Sequence, residues 1–480
     1  MTIASPSNRP SAAPPTPGAY RAALEALYGR RRFGLRPGLE VVQALLAELG
    51  HPERRLPAVH VTGSKGKGSV ATMAAAILSA HGRRTGLFTS PHLASYRERA
   101  RVDGREIGPE EVVRGIERVE AAAGRLGRAG TIDRDPTFFE VTTALALDWF
   151  VRAAAEAAVV EVGIGGRLDA TNVLSSRVGV VTTVELEHTD LLGPTVEAIA
   201  TEKAGILHPG MRGILGELPA AAAAAVGRIA GQHGVALWSL GRELRAERTE
   251  LAAEGQTLDL HGPGFDLTGV RIPLLGGFQV GNTALAVAAA VAFLRADGRE
   301  LDPESTRRAL AHVRIPGRLQ RVARDPELFY DVAHTPGSAR AVAASVAEIA
   351  PLADPASSAV VFGCLVGKDV GGILDALTPI ARNLVLVPVR SERAMPLAEI
   401  RGAAAGRFSR VVVAPSAEAG VRLARAATGV DGLTLVVGSD YLVGELLRGP
   451  GASDEPDLSD PGHGPAIERP PRRPPGAGTP

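Results

Sequence analysis

One cysteine, Cys364, stands in 480 residues. A chain with a single thiol closes no internal disulfide, and such scarcity fits a reducing compartment, so a cytoplasmic location is expected. Aromatic residues make up 4% and the net charge is +1. Together these argue against a nucleic-acid platform, which needs clustered positive charge and stacking rings. No unbroken run of 18 apolar residues is present, so no membrane span is predicted. The first residues, MTIASPSNRPSAAPPTPG, lack a charged start ahead of an apolar stretch and do not read as a secretory leader. Lysine is also scarce. Of 53 basic residues only four are lysine, at 65, 67, 203 and 368. Arginine is a planar fork that stays charged, whereas lysine is a compact point charge whose amine can lose a proton and react. Each lysine in such a chain is therefore informative, with chance placement as the plainer alternative, and two of the four fall in TGSKGKGS, residues 62–69.

What is present is room for two domains and enough apolar residues, 45%, to fill their cores. Short apolar runs alternate with longer Ala/Leu-rich patterns. Strands are predicted over 58–62, 85–89, 158–162, 178–184, 359–363, 383–389, 410–413 and 433–437. Helices are predicted over 69–80, 138–154, 195–202, 281–294, 338–349 and 417–426. Continuous apolar strands alternating with helices imply an α/β architecture with mostly parallel sheets covered on both faces. Residues 246–272 differ: polar and apolar residues alternate between glycine breaks, which suggests a small antiparallel section. HVRIPGRL (312–319), with Pro316 and Gly317, reads as a hinge. The expected organisation is a disordered tail over 1–18, a nucleotide-binding domain over 19–312, a smaller Rossmann-like α/β domain over 313–448, and a disordered Pro/Gly-rich tail over 449–480.

PAVHV, TGSKGKGS and SVATMAAAILSAHG form the sequence strand, glycine-rich turn, helix. Glycines let backbone N–H groups converge on an anion, and the helix N-terminus adds a favourable dipole. Lys67 would then reach the β- and γ-phosphates as a point charge, and Ser69 would approach a magnesium ion. The strict phosphate-loop pattern is not met, because position 61 is Val and Gly68 separates Lys67 from Ser69. A glycine-rich turn without a ligand is the plainer alternative.

Three more residues fall at ends of predicted strands. Ser90 follows the second strand, where ligands of open α/β sheets bind, although such a serine is often only a cap. Glu161 lies in an apolar strand, where a carboxylate must be paired, protonated or bound to metal. Glycines 163, 165 and 166 follow it, but not in the dinucleotide pattern. His188 stands just past a third apolar run. Oxygen donors with one neutral imidazole suit Mg²⁺. Lys203 follows beside Glu202, and a helix-surface lysine is its plainer reading.

These stretches together resemble the folylpolyglutamate synthase / dihydrofolate synthase family of the Mur ligase superfamily. The likeness is carried by TGSKGKGS, TSPHLASYRERARVDG, EVGIGGRLDATN, EHTDLLGPTVEAIATEKAGI, GGFQVGN, IPGRLQ, YDVAHTPGSA and VVGSDYLVGELL, in that order over roughly 20–448. It implies a large N-terminal P-loop ATPase domain of the Mur-ligase type and a smaller C-terminal glutamate-ligase-type domain. By resemblance Gly66, Lys67, Gly68 and Ser69 hold ATP phosphates, and Asn282, Arg318 and Asp331 complete the nucleotide site. Ser90, Glu161 and His188 match the magnesium ligands. Lys203 matches a lysine that is carbamylated, and Asp169 matches a position near the pterin. Lys67, Lys203 and His188 are the expected catalytic residues. The implied reaction is ATP-dependent addition of L-glutamate to folate or dihydropteroate through an acyl phosphate, by a monomer without nucleic-acid or membrane partners. A related amide ligase on a non-folate carboxylate, a nucleotide-binding regulator without turnover, and a plain P-loop kinase are the competing readings. The sequence departs from the family pattern at Val332, where Gly is usual, at Thr335 for Asn, and at Glu187 for Asp.

Overall fold

The computed structural model describes residues 17–30, 38–429 and 431–448. Most of the segments expected to be tails, 1–16 and 449–480, lie outside the described residues. The first described helix, Pro17–Gly29, begins two residues inside the expected N-terminal tail. Proline suits a first helical position, where its missing N–H would have had no partner.

Seventeen strands fall among the described residues. The first eight are β1 (Ala58–Thr62), β2 (Thr85–Phe88), β3 (Ala100–Val102), β4 (Arg105–Glu106), β5 (Ala157–Glu161), β6 (Ser176–Val181), β7 (Arg212–Leu215) and β8 (Ala236–Ser239). They form one sheet in the order β4-β3-β2-β5-β1-β6-β7-β8. From β2 to β8 neighbours run parallel; β3 and β4 turn back antiparallel at the edge. β1 and β5 are buried along their whole length, as strands covered on both faces must be. Next come β9 (Arg245–Ala252), β10 (Gly255–Gly262) and β11 (Phe265–Ile272), an antiparallel three-stranded sheet. This is the antiparallel section that the polar–apolar alternation of 246–272 predicts.

The last six strands are β12 (Gln320–Ala323), β13 (Glu327–Tyr330), β14 (Ala359–Phe362), β15 (Asn383–Leu386), β16 (Arg410–Val413) and β17 (Leu433–Val437). Their order is β12-β13-β17-β14-β15-β16, with only β12 antiparallel. Residues 312–319, the expected hinge, carry no helix or strand between the helix Pro303–Ala311 and β12.

The helix Lys67–Ala80 packs against the helix Phe278–Ala296 in the core of the large sheet. Phe278–Ala296 is the one helix among the described residues long and apolar enough to cross a bilayer. It is 19 residues of mostly buried Ala, Val, Leu and Phe, packed between the first sheet and the three-stranded one, where an all-round apolar helix belongs.

Candidate active site

In an open parallel sheet, ligands bind beyond the C-terminal ends of the strands. Here β2, β5, β1 and β6 are adjacent and parallel, so the segments that follow them converge on one edge. Register sharpens this: Val61 pairs with Glu161, and Thr62 with Val181. Glu161 is thus placed beside the last turn of chain before the phosphate loop. The cleft above this edge has a volume of about 1660 Å³. Its walls include Gly66, Lys67, Gly68, Ser69, Ser90, Glu161, Asp169, His188 and Asn282 on one side, and Arg318 and Asp331 from the hinge and β13 on the other. Of the residues expected from sequence, only Lys203 is not in the wall.

The loop after β1 is shaped by backbone hydrogen bonds. Ser64 N–H donates to the Thr183 carbonyl (2.8 Å) and Lys65 N–H to Thr183 Oγ1 (2.8 Å), which ties the loop to the end of β6. Gly66 has φ +84°, a left-handed conformation that glycine adopts without strain. A Cβ there would also collide with the Asn282 side-chain amide. Asn282 is held by its own helix, donating from Nδ2 to Gln279 Oε1 at 3.0 Å. Lys67 opens the 14-residue helix Lys67–Ala80 and folds back, donating from Nζ to the Gly63 carbonyl at 3.0 Å.

Glu161 is 4% exposed, and its Oε2 accepts from Ser90 N–H at 2.9 Å. Burial raises its pKa, while Lys67 and the Ser90 hydrogen bond oppose that rise. His188 takes a left-handed conformation (φ 48°, ψ 40°) ahead of the short helix Thr189–Leu192. Burial pushes its pKa down to about 4, so the imidazole is neutral near pH 7. No group of three or more His, Cys, Asp or Glu residues close enough to hold a metal occurs among the described residues. The donor set expected from sequence is different: one buried carboxylate, one hydroxyl and one neutral imidazole. That chemistry fits a hard divalent cation.

Asp169 is bound on both oxygens. Oδ1 accepts from Thr171 Oγ1 (2.5 Å) and Thr171 N–H (3.0 Å), and Oδ2 from Ile164 N–H (3.1 Å). Asp331, at the end of β13, accepts from Leu319 N–H and Ala333 N–H, both at 2.7 Å. Burial raises its pKa to about 6, with Arg318 opposing.

Lys203 is not a surface lysine. It is 1% exposed, and its Nζ donates to Glu187 Oε1 at 2.9 Å, while Glu202 pairs with Arg167. The plainer reading of Lys203 is overturned because the helix Val196–Ala204 turns that residue inward beneath the cleft floor. Burial lowers its pKa to about 8, against the pull of Glu187. Burial alone would raise the Glu187 carboxyl, but Lys203, Lys67 and Lys65 outweigh it and hold the group well below the usual carboxylate range. The pairing joins residues 16 apart through a loop and a helix, and sequence spacing gave no signal for it.

Two departures from the family pattern have a physical account. Thr335 caps the helix Pro336–Ile349, its Oγ1 accepting from Ser338 N–H; threonine and asparagine both serve as N-caps. Val332 is fully buried in the apolar cluster of the last sheet, and its carbonyl accepts from His334 Nδ1 at 2.9 Å. That contact leaves His334 Nε2 as the acceptor nitrogen. His334 and Lys368 both line the cleft. With Lys65 and Lys67 also in the wall and Lys203 just behind it, all four lysines of the chain gather at one place.

Residues 61–290 match the Mur ligase middle domain, and residues 317–440 match the Mur ligase glutamate ligase domain. A dihydrofolate synthase/folylpolyglutamate synthase of Mycobacterium tuberculosis is 37% identical over 392 residues, which covers 78% of each chain. The fold superimposes on the Mycobacterium tuberculosis folylpolyglutamate synthase complexed with ADP with a TM-score of 0.84. That match has 32% identity and covers 91% of this chain and 100% of that one. A solved FPGS–AMPPCP–folate complex gives a TM-score of 0.77 at 29% identity, covering 89% and 98%. With both domain models matched and a relative this similar over most of its length, the chain belongs to the dihydrofolate synthase/folylpolyglutamate synthase family of Mur ligases, which are ATP-dependent acid–amino-acid ligases.

Proposed function

We propose that this ligase uses ATP to join L-glutamate to the carboxylate of folate or dihydropteroate, with the domain boundary near residue 313 and with work in the cytoplasm. One observation carries the reading: the phosphate loop, Ser90, Glu161 and His188 face the same cleft as Arg318 and Asp331, which come from the hinge and the second sheet. Nucleotide complexes of relatives and the FPGS–AMPPCP–folate complex support the same assignment of ligands.

In this mechanism a substrate carboxylate oxygen attacks the γ-phosphorus, and the bond to the ADP oxygen breaks. The acyl phosphate is then attacked by the glutamate amine, phosphate leaves, and an amide remains. Lys67 balances charge on the transferring group, a positioning-and-electrostatics route common to phosphoryl transfer. Gly66, Gly68 and Ser69 offer backbone N–H groups at the start of a helix. Asn282, Arg318 and Asp331 complete the nucleotide site. Asp169 faces the pterin. Walls from both sides of the hinge keep water from the acyl phosphate. Ser90, Glu161 and His188 would hold magnesium, which when bound neutralises phosphate oxygens. A carbamate on Lys203 would add an anionic group toward that ion.

The test is an assay of purified protein with ATP, glutamate and either tetrahydrofolate or dihydropteroate, reading ADP and product mass. Glutamate-dependent ADP release with one of the two pteridines is expected. ADP release that ignores both pteridines would turn the assignment toward a ligase for another carboxylate.

Asp331 adds a pH dependence. Its folded pKa, about 6, is above the ordinary 3.8, so the folded protein binds the proton that the unfolded chain releases between those values. Stability contributed by this group therefore falls as pH rises from about 4 to about 6. Nucleotide affinity is expected to move the other way, weakening as pH falls through about 6, because the protonated acid is a poorer acceptor. Titration calorimetry on the wild type and Asp331→Asn reads this: the inflection near 6 should vanish in the variant.

A further inference from the structure

Glu187 is shared by two lysines. Its Oε1 accepts from Lys203 Nζ at 2.9 Å, and its Oε2 lies 3.7 Å from Lys65 Nζ. The lysines come from different elements, the phosphate loop and the helix Val196–Ala204. The backbone of Lys65 is pinned: its N–H donates to Thr183 Oγ1, and its carbonyl accepts from the hydroxyls of Thr182 and Thr183. The loop is therefore anchored so that the Lys65 side chain stands against Glu187. Lys65 is one of only four lysines among 53 basic residues, and its compact ammonium, unlike a guanidinium, is a point charge.

We propose that Lys65 is a positioning residue that acts through Glu187, holding that carboxylate in place while the neighbouring Lys203 exchanges its positive charge for the negative charge of a carbamate. The inference rests on the carbamate reading given above. In forming the carbamate, the Lys203 amine nitrogen attacks the carbon of CO₂, an N–C bond forms, and one C=O electron pair moves onto oxygen. Going from the ammonium to the carbamate releases two protons to solvent. Lys203 thereby passes from +1 to −1, directly beside Glu187. With Lys65 present, the three groups change from a net +1 to a net −1. Without it they would end at −2 in a largely buried pocket, where like charges are poorly screened.

Lys67 also acts on Glu187, ahead of Lys65, so Lys65 shares the balancing charge, and its distinction is that its ammonium stands within 3.7 Å of the carboxylate. Lys67 turns its ammonium onto the Gly63 carbonyl and faces the phosphate position. Glu185, the other carboxylate acting on Lys65, adds negative charge. Burial works against the charge on Lys65, and Glu187 is the largest influence that sustains it, so the two depend on each other.

The experiment titrates the full-length protein with ¹³C-bicarbonate and reads the carbamate carbon by NMR. Wild type is expected to show a resonance that Lys203→Ala lacks. Lys65→Met is expected to need about tenfold more bicarbonate for half occupancy, the equivalent of one pKa unit of differential interaction. Lys65→Gln, run alongside in case the methionine variant folds poorly, should shift the same way. Lys65→Arg, which restores the charge, should keep the wild-type midpoint. An unchanged midpoint in both neutral variants overturns the role of Lys65 and leaves the carbamate intact. Absence of any Lys203-dependent resonance in the wild type overturns the carbamate reading and this proposal with it.

Discussion

Lys203→Ala is expected to lower turnover by roughly 10²–10³-fold, the scale seen when one transition-state-stabilising group is removed. Nucleotide affinity should be largely kept, since Lys203 lies behind the cleft wall and touches Glu187 rather than the phosphate loop. Short carboxylic acids added to the assay should restore part of the lost rate by occupying the space of the missing carbamate. Two effects must be separated in this variant. The truncation also strips Glu187 of its closer cation, and breaking a buried pair costs about 3–5 kcal/mol when the remaining charge has no other partner. Lys65 stays within 3.7 Å of Glu187, so the loss of stability should fall below that range. A melting temperature that drops while acetate or propionate still recovers activity supports a catalytic role. Full activity without any added acid would remove Lys203 from the reaction.

Lys67→Ala is expected to lower kcat/KM by about 10³-fold or more, because a single ammonium balances charge on the transferring phosphoryl group. The effect on folding should be small, because opposing charge effects largely cancel. The hydrogen bond lost is the one to the Gly63 carbonyl, and Lys67 opposes the charge on both Lys65 and Lys203. Removing it relieves like-charge crowding with Lys65 and Lys203 but also takes a favourable charge from the buried Glu161 and Glu187. A melting temperature close to that of wild type, together with collapse of kcat/KM, is the expected pair of results. Lys67→Arg should not rescue, since the planar fork does not fit where a point charge sits. Near-normal turnover in Lys67→Ala would remove the phosphate-loop assignment.

Much of the architecture was legible because it rests on local pattern. The stretches AVHVT and LTLVV are buried strands and RVVV a partly exposed edge strand, all at the predicted bounds, since an apolar run of four or five residues between turns leaves few alternatives. The reversal to an antiparallel sheet after residue 244 was visible in the polar–apolar alternation. Helix ends were less so. Phe278–Ala296 starts three residues before its predicted bound, because packing against Lys67–Ala80 extends it through Gly281. Of the site, Glu161 and Ser90 could be placed because one ends β5 and the other follows β2 closely, and parallel strands end together; His188 lies seven residues past β6, and the loop between carries it back to the cleft. The Lys203–Glu187 pair was hidden, for it depends on how a helix seats under a loop. Arg99 was missed for a similar reason. It is 2% exposed, stacks over Phe138 and donates to His92 in the cleft wall, yet nothing in YRERAR separates it from its solvated neighbours.

The gathering of every lysine at one cleft makes the molecule chemically quiet elsewhere. An amine-acylating reagent finds no ε-amino target on the remaining surface, so the mass it adds, apart from any at the terminal amine, reports on this one locus. Cleavage after lysine gives junctions at 65, 67, 203 and 368 only, so each missed cut names the protected side chain. Ligand occupancy thus becomes readable from a peptide map, a footprint that an ordinary lysine-studded enzyme would bury in background.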